Sequence, residues 1–181
     1  MDKIFLEKPL LQHKAEYEIM MEEWINHGGR IHPGALKNYS NNYPLNKVTY
    51  EKWLKWIEDD RHIETCPKGT VPQDLYFCIN ENESIIGAIT IRHYLNEINS
   101  KNGGHLGIGI RPNERLKGYA IKIISMVLPI LKNKYEIKEL LYTCDKNNTG
   151  SIKSIQNNGG ILKDEIIEEN GNIIQRYVKM L

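Results

Sequence analysis

The stretch His105-Leu106-Gly107-Ile108-Gly109-Ile110-Arg111-Pro112-Asn113-Glu114-Arg115-Leu116-Lys117-Gly118-Tyr119-Ala120 decides how this chain is read. Leu106, Ile108 and Ile110 alternate with His105, Gly107 and Gly109. A period of two marks a strand with one apolar face. The other face is nearly bare of side chains, which lets another backbone or an extended amide ligand approach closely. Pro112 ends the strand, because it has no N–H to give a ladder. Arg115, Lys117 and Gly118 then stand where the next helix must begin. A helix head exposes unpaired amides and carries partial positive charge, so it accepts anions. Gly118 has no Cβ to hold a phosphate away, and Arg115 and Lys117 add formal charge. A bare-faced strand leading into a cationic loop and a helix suits a ligand that joins an amide arm to a pyrophosphate, as coenzyme A does.

Other nucleotide motifs fail on the same residues. Gly107-Ile108-Gly109 begins like a dinucleotide fingerprint, but Pro112 stands where the third glycine belongs, and the chain has no GxxxxGK[ST] loop.

Working outward toward the N-terminus, Asn102-Gly103-Gly104 turns the chain into the strand from His105 to Ile110. Leu75 to Ile79 and Ile85 to Tyr94 read as a hairpin around Asn80-Glu81-Asn82-Glu83. Asp60 to Pro72 is a loop. Before it, Thr49 is the expected N-cap of a helix with Tyr50, Trp53, Leu54 and Ile57 on its apolar stripe. His32 to Asn46 is rich in Pro, Gly, Asn and Tyr, and is read as loop or broken helix. Leu11 to Asn26 is a helix with apolar Ala15, Ile19, Met20, Trp24 and Ile25, ended by Gly28-Gly29. Lys3 to Lys8 is a first short strand.

Toward the C-terminus, Lys117 to Lys132 is an amphipathic helix on Ile121, Ile124, Leu128 and Leu131, with Pro129 loosening its last turn. Glu139 to Cys144 is a strand and Thr149 to Asn157 a short helix closed by Asn158-Gly159-Gly160. The chain finishes in a hairpin, Ile161 to Glu169 and Ile173 to Met180, around Asn170-Gly171, for which a type I′ turn is expected. This order predicts an α/β (α+β) protein, a mixed sheet with helices over it in one domain over residues 1–181.

Bulk composition excludes other classes. The chain has 181 residues, and 24 Lys and Arg against 23 Asp and Glu leave a net charge of +1. That balance argues against broad attraction to nucleic acid or anionic lipid. Cys66, Cys78 and Cys144 are odd in number and lack CxxC spacing, which suits a reducing compartment. Glu7 and Lys8 interrupt any leader-like apolar run, and no stretch approaches the length of a membrane span. A cytoplasmic protein without a membrane or nucleic-acid partner is expected.

Arg115 to Ala120 resembles the R/Q-x-x-G-x-G/A signature of the GNAT superfamily of N-acetyltransferases, as found in its bacterial members. Asn148-Thr149-Gly150-Ser151 is similar to the N-x-x-S/A that opens that family's next helix, and Gly159-Gly160 falls where the family commonly has a glycine-aromatic pair. The resemblance runs from His105 to Gly160. It implies a mostly antiparallel central sheet of about seven strands flanked by helices, with residues 105–160 as the acetyl-CoA-binding core. The pantetheine would pair with the backbone of Ile108, Gly109 and Ile110. The pyrophosphate would sit on the amides of Arg115, Leu116, Lys117, Gly118, Tyr119 and Ala120, and Asn148 and Ser151 would help hold the cofactor arm. Transfer to an amine would be direct, with acetyl-CoA as co-substrate, no metal, and a monomer or homodimer as the unit.

An attacking amine must lose a proton, so a base is needed near the thioester. Glu97, His105 and His93 are the candidates by position. His93 and Glu97 share a face if the strand carrying them is regular. His105 points with Gly107 and Gly109. The resemblance also implies a tyrosine seven residues after Asn148 as proton donor to the leaving thiolate, but that position is Ile155. Tyr142, Cys144, Ser154 or water are the substitutes, with Cys144 read as a buried, inert thiol. Residues 24–72 are the expected acceptor side. There Trp24, Tyr39, Tyr43, Trp53 and Trp56 could line a pocket, with Trp24 and Trp53 favoured as core. Glu58-Asp59-Asp60 could draw a cationic acceptor or form a solvated helix end. His27, His32 and His62 show no zinc pattern. The competing readings are a non-catalytic acyl-CoA-binding or sensing module and a plain interaction domain.

Overall fold

The computed structural model describes residues 3–36 and 48–181. The glycine-spaced strand β4 (Leu106–Ile110) is the last of four antiparallel strands in the order β1–β2–β3–β4, with β1 at Ile4–Glu7, β2 at Gln73–Asn80 and β3 at Ile85–Arg92. The β2–β3 turn forms around Asn80, whose Oδ1 accepts from the amides of Asn82 and Ser84, both at 3.0 Å. This side-chain mimicry of a backbone turn is the usual role of asparagine at such a corner.

Two helices cover one face of this sheet. They are α1 (Lys14–His27) and α2 (Tyr50–Asp59), the latter capped by Thr49 Oγ1, which accepts from Lys52 N at 3.3 Å. Their core is aromatic: Trp53 stacks on Tyr17 at 4.8 Å between ring centroids and lies 6.0 Å from the Phe77 ring of β2. The apolar stripe of α1 is Tyr17, Met20, Met21 and Trp24. Ile19 and Ile25, expected in that stripe, are exposed. The phase is set by Tyr17 and Trp24, whose rings bury more area than any isoleucine.

The long helix α4 (Tyr119–Lys134) covers the other face with Tyr119, Ile123, Ile124, Val127 and Leu131. Ile121 and Leu128, placed in that stripe by sequence, are only half-buried. Between β3 and β4 lies α3 (Glu97–Lys101), a short helix that the sequence reading did not foresee. Asn96 caps it through Oδ1, which accepts from Asn99 N at 2.9 Å.

The remaining strands form a second antiparallel sheet, β5–β7–β6, from β5 (Glu139–Asp145), β6 (Ile161–Ile167) and β7 (Ile173–Met180). Helix α5 (Thr149–Asn157) packs beside α4, tied by the buried Asn158, whose Nδ2 donates to Ile121 O at 3.1 Å and Ser154 O at 2.9 Å. The β6–β7 turn is not type I′. Only Gly171 has a positive φ, and its N–H donates to Glu168 O at 2.8 Å while Glu168 N donates to Asn172 O. That is a three-residue loop of the type I plus left-handed residue kind. The seven strands thus stand, split into two ladders at the β4–β5 boundary.

Candidate active site

The split between the sheets is bridged where β4 begins, by Gly103 N donating to Thr143 Oγ1 at 2.8 Å and by His105. His105 N donates to Leu141 O at 2.9 Å, and Leu141 N donates to His105 Nδ1 at 3.0 Å. Beyond this junction β4 forms no ladder with β5, so β4 keeps an open edge. Its register fixes which peptide groups face that edge. Arg92 N donates to His105 O and Arg111 N to Ile86 O, so His105 O, Arg111 N and the N–H and C=O groups of Gly107 and Gly109 turn toward β3. In an antiparallel pair the alternate residues point the other way. The N–H and C=O groups of Leu106, Ile108 and Ile110 therefore face the opening.

The bare face of β4 admits another backbone, one of the two uses its sequence suggests. A Cβ on Gly109 would lie 1.7 Å from His32 O and 2.8 Å from the Trp24 ring, and one on Gly107 would lie 2.6 Å from Thr90 Oγ1. The protein's own loop and α1 fill that face.

At the end of β4 the chain passes through a 3-10 turn, Pro112–Glu114, into the loop at 115–118. Leu116 has φ +62 and is fully exposed, and Gly118 has φ +83 as the N-cap of α4. Only glycine adopts that geometry without Cβ strain. The loop is braced from below by α1, which the sequence reading missed. Arg111 Nε donates to Glu23 Oε2 and Nη1 to Glu16 Oε1, both at 2.8 Å, and Asn113 N donates to Glu23 Oε1 at 2.7 Å. Burial opposes ionisation of Glu23, yet the Asn113 amide and the Arg111 guanidinium hold its carboxyl below the ordinary value. The signal was present: Glu16 and Glu23 are seven apart, two turns up one helix face.

Asn148 Oδ1 accepts from Ser151 N at 3.0 Å, so both residues form the head of α5. The three base candidates are not brought together. Glu97 is exposed on α3 and pairs with Lys101 at 2.7 Å. Because β3 ends at Arg92, the regular strand that would align Glu97 with His93 is absent. His93 stacks on Tyr135 with ring centroids 4.7 Å apart and sits 3.4 Å from Asp74. Asp74 is itself 1% exposed and accepts from Arg61, Lys134 and Tyr135. His105 is buried, which pushes its pKa down and keeps the ring neutral. Its acceptor nitrogen is already used by Leu141 N–H, so the ring staples the sheets and has no lone pair to offer an amine.

Among the proton donors considered, Ser154 Oγ donates to Gly150 O at 2.8 Å. Burial pushes the Cys144 thiol up to about 11. The Tyr142 hydroxyl is buried with no hydrogen-bond partner among the described residues, and burial raises its pKa as well. Ile155 is packed in the core. Trp24 and Trp53 are core, Trp56 is exposed, and Tyr39 and Tyr43 lie outside the described residues. Glu58, Asp59 and Asp60 are met by Arg61, Lys55 and Gln73. Among the described residues no group of three His, Cys, Asp or Glu could hold a metal, and no helix is long and apolar enough to cross a membrane.

The family model of the acetyltransferase (GNAT) domain matches residues 31–161. The chain belongs to the GNAT acetyltransferase family. It is an acyltransferase with acetyl-CoA as co-substrate. No curated protein matches its sequence. Among solved structures, this GNAT chain is similar to the microcin C7 self-immunity acetyltransferase MccE in complex with acetyl-CoA and AMP, at TM-score 0.65 and 17% identity, over 100% of this chain and 94% of that one. It is similar to RimL, the ribosomal L7/L12 alpha-N-protein acetyltransferase in complex with coenzyme A, at TM-score 0.63 and 13% identity, covering 98% and 94%. A dodecameric spermidine N-acetyltransferase from Vibrio cholerae matches at TM-score 0.62 and 13% identity, covering 98% and 93%. At these identities the likeness speaks for the fold.

Proposed function

We propose that this protein moves the acetyl group of acetyl-CoA onto a primary amine of a small molecule or peptide. The observation that carries the reading is the open edge of β4, where Ile108 and Ile110 turn their peptide groups outward directly ahead of the amide-rich head of α4. The pantetheine amides pair with that edge, and the diphosphate rests on the amides of 115–120. Asn148 and Ser151, at the head of α5, address the cofactor arm. The acceptor enters from the side formed by residues 24–72. The amine nitrogen attacks the thioester carbonyl, the C–S bond breaks, the amine gives up a proton to solvent, and the thiolate takes one. Tyr142 supplies that second proton, because its hydroxyl is buried, neutral and unengaged among the described residues while Ile155 has none to give.

The test is acetyl-CoA binding by calorimetry followed by thiol release across amines that include spermidine and peptides with free α-amino groups. These two acceptor types are those of the spermidine and L7/L12 enzymes with the same fold. Turnover with any amine supports the proposal, and Tyr142→Phe should then lower kcat about tenfold or more with KM for acetyl-CoA unchanged. Tight binding without turnover across the panel would favour the acyl-CoA-sensing reading, for which Ile155 is the motivating residue.

A further inference from the structure

Among the half-buried arginines of the described residues, Arg61 meets Asp74 and Glu58, Arg111 meets Glu16 and Glu23, and Arg176 meets Asp164. Arg92, the last residue of β3, is also half-buried but meets no carboxylate among the described residues. Its Nη1 donates to Gly103 O at 3.0 Å and to Gly104 O at 2.8 Å, and its Nε and Nη2 have no partner among the described residues. Burial lowers its pKa, and no acidic neighbour restores it. Taking a guanidinium partly out of water without a countercharge is costly. The side chain stands on the face of the sheet that α1 and the His32–Pro33 loop cover. Thr90 opposes Gly107, where a Cβ would meet Thr90 Oγ1 and Pro33, and a strand repeats its face every two residues. The carbonyls that Arg92 holds belong to the turn that brings β4 beside β5, since Gly103 N donates to Thr143 Oγ1. Arg92 thus lies at the junction of the two sheets, on the side from which the acceptor enters.

We propose that Arg92 binds a carboxylate of the acceptor, so that the amine acetylated is the α-amino group of a free amino acid, an inference that rests on the acetyltransferase reading above. A guanidinium grips a carboxylate through two parallel charge-assisted N–H bonds. Nε and Nη2 form one edge of that fork, the edge that Arg176 presents to Asp164 in this same protein. On Arg92 that edge is open. The donor's arm runs from the head of α4 past Ile110 and Ile108, so its thioester lies beside Leu106, the next residue whose peptide groups face the opening. Gly104, which holds the guanidinium, is two residues further along, about 7 Å at the rise of a strand. An amino acid has its nitrogen and carboxylate on one carbon, and with a hydrogen bond of about 3 Å to Arg92 it spans that gap. A polyamine, or a peptide whose first carboxyl is in amide linkage, brings no such charge to Arg92.

The experiment follows thiol release from acetyl-CoA across the common L-amino acids and their carboxamides, with wild-type protein, Arg92→Met and Arg92→Lys. Wild-type protein should acetylate at least one amino acid with kcat/KM about ten- to a hundredfold above that of its carboxamide, the ordinary worth of a hydrogen bond between charged groups. The carboxamide keeps more of its amine unprotonated at neutral pH, so the chemistry alone works against that preference. In Arg92→Met the preference should fall to about one, through a higher KM for the amino acid. Arg92→Lys keeps the charge but loses the fork, and should lower the preference about threefold or more. An unchanged calorimetric Kd for acetyl-CoA is the check on folding of both variants. A merely structural role would slow both acceptors and leave their ratio alone. A ratio near one in wild-type protein, a ratio that survives Arg92→Met, or turnover of other amines with no amino acid acetylated overturns the proposal. Where the methionine variant fails the folding check, an unchanged ratio in Arg92→Lys overturns it. Failure of wild-type protein to bind acetyl-CoA at all would instead remove the acetyltransferase reading, and this inference with it.

Discussion

Replacing His105 by alanine separates a sheet staple from a catalytic base. In the native protein the ring is 8% exposed and Nδ1 accepts from Leu141 N, itself in a residue 8% exposed. Alanine leaves that buried N–H without an acceptor, which costs about 1–3 kcal/mol. The space left by the ring adds to this, for a total of about 2–4 kcal/mol. In a chain of this length that is a fall in Tm of roughly 5–15 °C, read by calorimetry. His105→Asn, whose amide oxygen can take the Leu141 N–H, should recover about 1 kcal/mol of it. Burial lowers the pKa of His105, so the folded state favours the neutral ring. The unfolded chain then binds the extra proton as pH drops below about 6.5, and the stabilising contribution shrinks with falling pH. The stability gap between wild type and His105→Ala should therefore narrow from pH 7 to pH 5. An alanine variant with wild-type Tm and a lost acid limb in its kcat/KM profile would refute the reasoning and restore His105 as a base.

Three further outcomes are expected. Gly118→Glu should cost about 1–2 kcal/mol of stability because its φ of +83 disfavours any L side chain. It should also abolish acetyl-CoA binding in calorimetry, since a carboxylate then stands at the anion site. Glu23→Gln should raise the Kd for acetyl-CoA by about tenfold with kcat preserved, as Arg111 and the Asn113 amide lose the charge that positions the loop. Burial alone would raise the pKa of Asp74, but Lys134, Tyr135 and Arg61 hold it well below the usual carboxylate range. The stability this gives is complete above pH about 4 and is lost as pH falls further, so urea midpoints of Asp74→Asn should show a flatter acid limb than wild type.

The passage from strand to helix over residues 105–120 was legible in the sequence because it is local. The alternation of Leu106, Ile108 and Ile110, the stop at Pro112 and the cationic residues ahead of a helix act on neighbours a few positions apart. The same holds for Thr49 and Asn148, which cap helices through amides three residues on. The short helix at Glu97–Lys101 escaped because its five residues carry no apolar period, and its start rests on one Asn96 cap.

Sequence alone determined the order of the strands and the longer helices, the glycine positions on β4 and the start of α4, each fixed by backbone chemistry within a few residues. Tertiary structure decided what those glycines are for, since Gly109 is bare to admit His32 and Trp24 from far along the chain. It also decided that His105 joins two sheets through Leu141, and that Arg111 is held by Glu16 and Glu23 of α1. The difference is physical. Caps and strand periods are set by covalent neighbours, whereas the partner of a buried nitrogen or a guanidinium is chosen by whichever distant segment the packed core brings within 3 Å or so.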